Sequence, residues 1–191
     1  MKIFDNISQH IQISELEKEH ILSFFEMAEF PTKKVLLKSG DYAKETYFVN
    51  SGILRSYTLD KNYNEHTLSF ACENWWISDL YSLFSGNPSH TFIEVLQSVE
   101  VLIISQENTE KMFVEIPKME RYFRILTQNA LVANQQRIIN KMTLTAEQRY
   151  EKFLQKFGKL AYNIPQKHIA SYIGVTPEFF SKMKANMLKS K

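Results

Sequence analysis

The sequence predicts an α+β chain in which an antiparallel β sandwich or barrel lies between two helical regions. Three observations carry this. A capping box with helical spacing marks the first residues, and short β-type runs separated by turn residues fill Lys33 to about Ser105. Beyond Ser105 the chain returns to helical periodicity, and no fixed-period repeat or low-complexity linker interrupts it.

The 191 residues suffice for one large domain or two modest ones, and 44% hydrophobic with 23% charged residues is ordinary globular composition. No run approaches the roughly 20 apolar residues of a membrane helix. "MKIFDNISQH" lacks a signal-peptide core, so a cytoplasmic location without membrane association is expected. The single cysteine, Cys72, excludes an internal disulfide and any multi-cysteine metal site. It reads as a buried small hydrophobe.

In chain order, "ISELEKEHILSFFEMAEF" pairs Ser14 with Glu17 as a capping box and spaces Leu16, Ile21, Leu22 and Phe25 helically, with Pro31 ending the region. The β-type runs follow. In "TYFVNSGILRSYTL", Asn50, Ser51 and Gly52 stand between two of them, as a hairpin turn would. The tandem Trp75 and Trp76 must point opposite ways if extended, one packed and the other partly exposed. Pro117 then opens a helix that runs without Gly or Pro to about Thr143. Met119, Leu126, Ala133 and Asn140, with Tyr122, Asn129 and Gln136 between them, form a seven-residue seam, and Phe123, Ala130 and Arg137 run beside it. One stripe suits the β domain and the other a partner helix, so a homodimer is expected. Thr145 and Gln148 box the start of a further helix and Gly158 ends it, making Thr143–Thr145 a candidate hinge.

Charge is unevenly spread. Residues 1–136 hold 12 Lys+Arg against 18 Asp+Glu, a net −6, and residues 137–191 hold 11 against 3, a net +8. A basic tail on an acidic body suggests a polyanionic partner. That tail contains "IPQKHIASYIGVTPEFFSKMK", two short helices about a tight turn. Gly174 supplies the left-handed turn residue, Thr176 caps the second helix and Pro177 takes its first position. Phe180, Met183 and Met187 form an inward stripe, leaving Glu178, Phe179, Lys182 and Asn186 on the other side. Glu can accept from cytosine, Lys can donate to guanine and Phe can touch a thymine methyl. Gln166, Lys167, Ser181 and Lys184 are candidate phosphate contacts, and with Thr176 they complete the candidate DNA-binding set. A purely structural helical hairpin is the competing reading of this motif.

The segments "LLKSGD", "YFVNSGILRSY", "EHTLSF", "WWISDLYSLFSGNPSHTFIEVL" and "PQKHIASYIGVTPEFFSKM" together resemble the Crp/Fnr family of bacterial transcription regulators over nearly the whole chain. They look closest to its short Bacteroidetes-type members. The resemblance implies a β-roll of the cyclic-nucleotide-binding, jelly-roll type over residues 1–116 that senses a small effector. It further implies a dimerisation helix over 117–143 and a winged-helix or helix-turn-helix domain over 144–191. The helix Pro177–Leu188 would enter the major groove of a palindromic promoter site, with RNA polymerase as a further partner.

The match is incomplete at two places. The oxygen-sensing branch carries Glu-x-x-Ser-Arg on the reading helix; Glu178 and Ser181 match, but Lys182 replaces the arginine and lacks its two-pronged fork. The iron–sulfur cysteines of that branch are absent. Cyclic-nucleotide-binding members carry Gly-Glu-Leu followed by Arg-Ser; here Ser78, Asp79 and Leu80 stand there, and no arginine occurs between Arg55 and Arg121. Arg55, Tyr57, Ser78, Asp79, Leu80, Ser82, His90, Thr91 and Asn129 are the candidate effector pocket, its occupant either an unidentified molecule other than cAMP or cGMP or no effector at all. No cofactor or metal is expected. An enzyme of the related cupin barrel would need clustered histidines, whereas His10, His20, His66, His90 and His168 are scattered. A module of the same fold with non-specific DNA binding remains the alternative, although "KANMLKSK" keeps the tail basic.

Overall fold

The structure, a computed structural model, describes residues 1–189 and the side chains of residues 1–188. Two short helices open it, α1 Lys2–Ser8 and α2 Glu15–Leu22. The Ser14–Glu17 capping box forms as expected. The helical region does not reach Pro31. Residues Glu26–Phe30 are strand β1, and Leu16 is 81% exposed rather than packed. Ser23 already closes α2, and the chain beyond it pairs with the last strand instead.

Five further strands follow: β2 Val35–Leu37, β3 Glu45–Leu59, β4 Glu65–Cys72, β5 Trp76–Ile77 and β6 Phe92–Ser105, with the short helix α3 Leu80–Ser85 between the last two. The antiparallel sheet has the order β1-β6-β3-β4; β2 also pairs with β6 and β5 with β3. Val49 and Leu54 of β3 and Val95 and Val101 of β6 are buried together inside the roll.

The expected hairpin at Asn50–Gly52 is absent. β3 runs straight through these residues, and its register with β6 shifts three times between Val49 and Leu54. Gly52 serves a bulge, not a turn. Its φ is +88°, and a Cβ there would meet the Ser98 carbonyl oxygen at 2.2 Å. Turn chemistry and bulge chemistry ask for the same residue, so local sequence could not separate them.

Helix α4 Gln106–Glu115 leads to α5 Lys118–Thr143, starting after Pro117 as the sequence indicates. The first half of α5 is fastened to the roll. Tyr122 is fully buried, accepts from the Trp76 indole at 2.9 Å and donates to Asn6 Oδ1 at 2.5 Å. Trp75 and Trp76 do point to different cores, but both are half-buried rather than one being exposed. Cys72 is buried, and burial pushes its thiol up to about 11.

The second half of α5, including much of the expected seam, is solvent-exposed. Met119 and Tyr122 are core, but Ala133, Asn129 and Gln136 are exposed. The apolar residues left uncovered lie elsewhere: Leu131, Val132, Ile138, Ile139 and Met142 are 60, 64, 59, 50 and 81% exposed. Ile125, Val132 and Ile139 recur every seven residues, a second stripe that the first had hidden.

Leu144 breaks the helix in an extended conformation, and the Thr145–Gln148 capping box starts α6 Ala146–Phe157. A 3-10 turn over Gly158–Asn163, α7 Gln166–Ile173 and α8 Pro177–Lys189 complete the chain. No strand follows Ser105 among the described residues. Nor is any described helix long and apolar enough to cross a membrane.

Candidate nucleic-acid interface

Local chemistry shapes the motif. Gly174 takes φ +81° at the end of α7, Thr176 Oγ1 accepts the Phe179 amide at 3.2 Å, and Pro177 opens α8. Phe180 is fully buried and Met183 is 4% exposed, both packing on Tyr150, Ile169 and Ile173 of the helical core. The opposite face of α8 is open. Glu178, Phe179, Ser181 and Lys182 are exposed, with Phe179 at 49% although nothing polar in its ring favours water. Gln166, Lys167 and Thr176 are exposed beside them, and Lys184 is half-buried above the Phe180 ring. Every residue of the sequence-derived DNA-binding set therefore lies at the surface or partly so. The last part of "KANMLKSK", from the Lys189 side chain onward, lies outside the described residues.

The candidate effector pocket divides into two groups. Asp79 is buried and caps α3 through the Tyr81 amide at 3.1 Å. Its other oxygen accepts from Ser89 at 2.6 Å and Thr91 at 3.2 Å. Ser82 donates to the Asn87 carbonyl at 2.7 Å and accepts the Ala43 amide at 2.9 Å. Ser78 donates to the Glu45 carbonyl, Leu80 is 41% exposed, and the exposed His90 stacks on Tyr81 at 5.5 Å. The carboxylate that would meet a ligand hydroxyl is thus already satisfied within the protein.

Arg55, expected in that pocket, is turned away from it. It is fully buried; Nη2 lies 2.7 Å from both Glu65 Oε2 and Glu94 Oε1, and Nη1 contacts His168 Nδ1 on α7. Tyr57 lies under the guanidinium at 4.1 Å and stacks on Phe92 at 5.0 Å. Asn129 is exposed on α5, outside both groups. Arg55 has only donors to offer, so Nδ1 must be the unprotonated nitrogen of His168. Burial lowers His168 to about 4, and the nearby Arg55 and Lys167 cations add to this against a smaller opposing effect of Glu65. The 3.8 Å approach of Nδ1 to Glu65 is therefore not an ion pair near neutral pH. Burial raises the Glu65 carboxyl, but its bond to Arg55 and the surrounding cations outweigh that and lower it overall.

Sequence reasoning missed this cluster. Arg55 and His168 are 113 positions apart, and neither carries a local signal of the other. Around it α7 lies along β4, the last strand of the sheet order. The Thr67 amide donates to Ser171 Oγ at 2.8 Å, Ser171 donates to the Glu65 carbonyl at 2.9 Å, and Arg137 donates to the Leu68 carbonyl. Below them Ile53, Phe70 and Cys72 of the sheet share one hydrophobic core with Phe153, Phe157, Ile169 and Phe180. Phe70 meets Phe157 edge-on at 5.7 Å. Among the described residues no cluster of three or more His, Cys, Asp or Glu is placed to hold a metal ion.

Residues 27–115 match the model of the cyclic nucleotide-binding domain. The fumarate and nitrate reduction regulatory protein of Vibrio cholerae is 23% identical, over 81% of this chain and 66% of its own length. The regulatory protein HlyX of Actinobacillus pleuropneumoniae is 22% identical over 95% of this chain and 84% of its own. The chain thus spans just under two thirds of the first of these relatives. Among solved structures, FixK2 of Bradyrhizobium japonicum superposes with a TM-score of 0.76 at 18% identity, covering 87% of this chain and 85% of that one. The c-di-GMP-responsive regulator CLP of Xanthomonas campestris gives 0.75 at 14% identity, covering 93% of each chain. These two similarities establish the fold.

Proposed function

Because the chain belongs to the Crp/Fnr family, we propose that it is a homodimeric transcription regulator reading a palindromic promoter site with the helix Pro177–Leu188. The observation that carries this is the outward set on α8. Packing accounts for Phe180 and Met183, and leaves Glu178, Phe179 and Lys182 exposed with no structural task. A protruding Phe between an acid and a base suits the mixed donor, acceptor and methyl pattern of a major groove. The basic tail beneath it supplies the sequence-independent attraction to phosphates.

Dimerisation rests on the Ile125, Val132 and Ile139 stripe of α5, flanked by Leu131, Ile138 and Met142. Two such helices side by side would cover it and set two reading helices about one duplex turn apart. In this reading residues 1–116 sense, 117–143 dimerise and 144–191 bind DNA. The signal would be a small molecule other than cAMP or cGMP, because Arg55 is committed to Glu65, Glu94 and His168 and Asp79 to Ser89 and Thr91.

Footprinting on the protein's own upstream promoter across a salt series tests the proposal. A protected inverted repeat is expected, with log affinity falling by about 0.9 per phosphate contact per decade of salt. Salt-sensitive binding without sequence preference would instead favour the non-specific module. Micromolar cAMP binding in a calorimetric titration of the same sample would overturn the exclusion of that effector.

A further inference from the structure

The Arg55 cluster and Ser171 do more than close an interface. Together they tie the first helix of the reading motif to the sheet at both a buried and an edge position. At the buried position Arg55 holds His168, and is itself fixed from β4 by Glu65 and from β6 by Glu94. Beside it Ser171 takes the Thr67 amide and returns a bond to the Glu65 carbonyl, which occupies the free edge of β4. Such an edge otherwise presents unpaired backbone groups. Meanwhile the outward face of α8 stays open. The tied arrangement thus presents the reading helix rather than hiding it.

We propose that Arg55, His168 and Ser171 are positioning residues that hold the helix-turn-helix at a fixed place on the β-roll, and so set the spacing at which a dimer engages its two half-sites. This rests on the DNA-reading proposal above and adds a mechanism to it. The α5–α6 break at Leu144 has no rigid helix to carry orientation across it, since one helix ends there in an extended residue. Orientation passes instead through the side contacts, with His168 neutral and accepting. The charged groups facing His168 are Arg55 from β3, Glu65 from β4, Lys167 on its own helix and, through Arg55, Glu94 from β6.

Two variants test this on the full-length chain. His168→Leu keeps an apolar side chain in the core but removes the acceptor for Arg55, and His168→Gln restores an acceptor. In His168→Leu, exchange of the Thr67 amide should rise roughly tenfold although its own acceptor, Ser171, is untouched, and His168→Gln should stay near wild type. Unchanged Thr67 exchange in His168→Leu would overturn the tie.

Ser171→Ala lies at the half-exposed edge and should fold normally. Simultaneous engagement of both half-sites is worth about 10²–10⁴ in affinity. Wild type should therefore lose on the order of 10² when half a duplex turn is inserted between half-sites, and Ser171→Ala and His168→Leu should discriminate far less. Equal spacing discrimination in wild type and variants would overturn the positioning role. If wild type bound no DNA, the regulator reading would fail, while Thr67 exchange would still decide the tie.

Discussion

His168 shows how one side chain reports on the assembly of the whole tail. In the folded chain its imidazole titrates near 4, whereas an unfolded chain carries an ordinary one near 6.5. As pH falls through that window the unfolded state takes up the proton first, so its population gains. Stability from this group is fully present above about 6.5 and is lost progressively as pH falls towards 4. At about 1.4 kcal/mol per unit, roughly 2 kcal/mol should disappear between pH 6.5 and 5. Urea melts of wild type and His168→Gln at a series of pH values check this. The wild type should lose stability across that interval, and the variant, having no imidazole to titrate at this site, should show a flatter dependence. Parallel curves would mean that burial holds the ring less firmly than its 6% exposure suggests.

Among the elements, those whose ends are fixed by local chemistry were legible in the sequence. Gly174, Thr176 and Pro177 each act within one turn of their own position, so α7, the turn and α8 could be read directly. Gly52 acts through Ser98, a residue on another strand, and the hairpin expectation failed there. The long helix formed as expected, and its ambiguity is of another kind. Both the Met119–Leu126–Ala133 and the Ile125–Val132–Ile139 stripes repeat every seven residues, and only packing decides which is covered. Past Leu126 both stripes are exposed, Ala133 on the first and Val132 and Ile139 on the second, and the β-branched residues of the second suit a two-stranded seam. Val132→Glu should place two carboxylates face to face in such a seam. Sedimentation should then find monomer at concentrations where wild type is dimeric, while the circular dichroism of the β-roll is unchanged. A Glu at Ala133, on the stripe first suggested by the sequence, should leave the dimer intact.

At the scale of the molecule, the order of a β region, a long helix and a basic helical tail was visible in composition and periodicity, but the joining of β region and tail was not. Ile53, Phe70 and Cys72 read as sheet-core residues, and nothing local says that the other buried members of their core, Tyr150 to Met183, all arrive from beyond residue 145. Cutting the chain after Leu144 would uncover that apolar surface together with the β4 edge. Residues 1–144 alone should therefore aggregate, visible as light scattering in a gel-filtration profile, where full-length protein elutes cleanly. A well-behaved fragment would show that the roll closes its own surface.

The shared core also bears on how such chains can diversify. A sensor joined to its reader only by a linker can be exchanged like a cassette, because neither half knows the other. Here grafting the roll onto a foreign reading head would leave Phe70 facing the wrong aromatics and Arg55 facing no acceptor. Exchange would succeed only if the facing residues of the sheet travelled with the head. One phenylalanine cluster thus makes the two halves a matched pair.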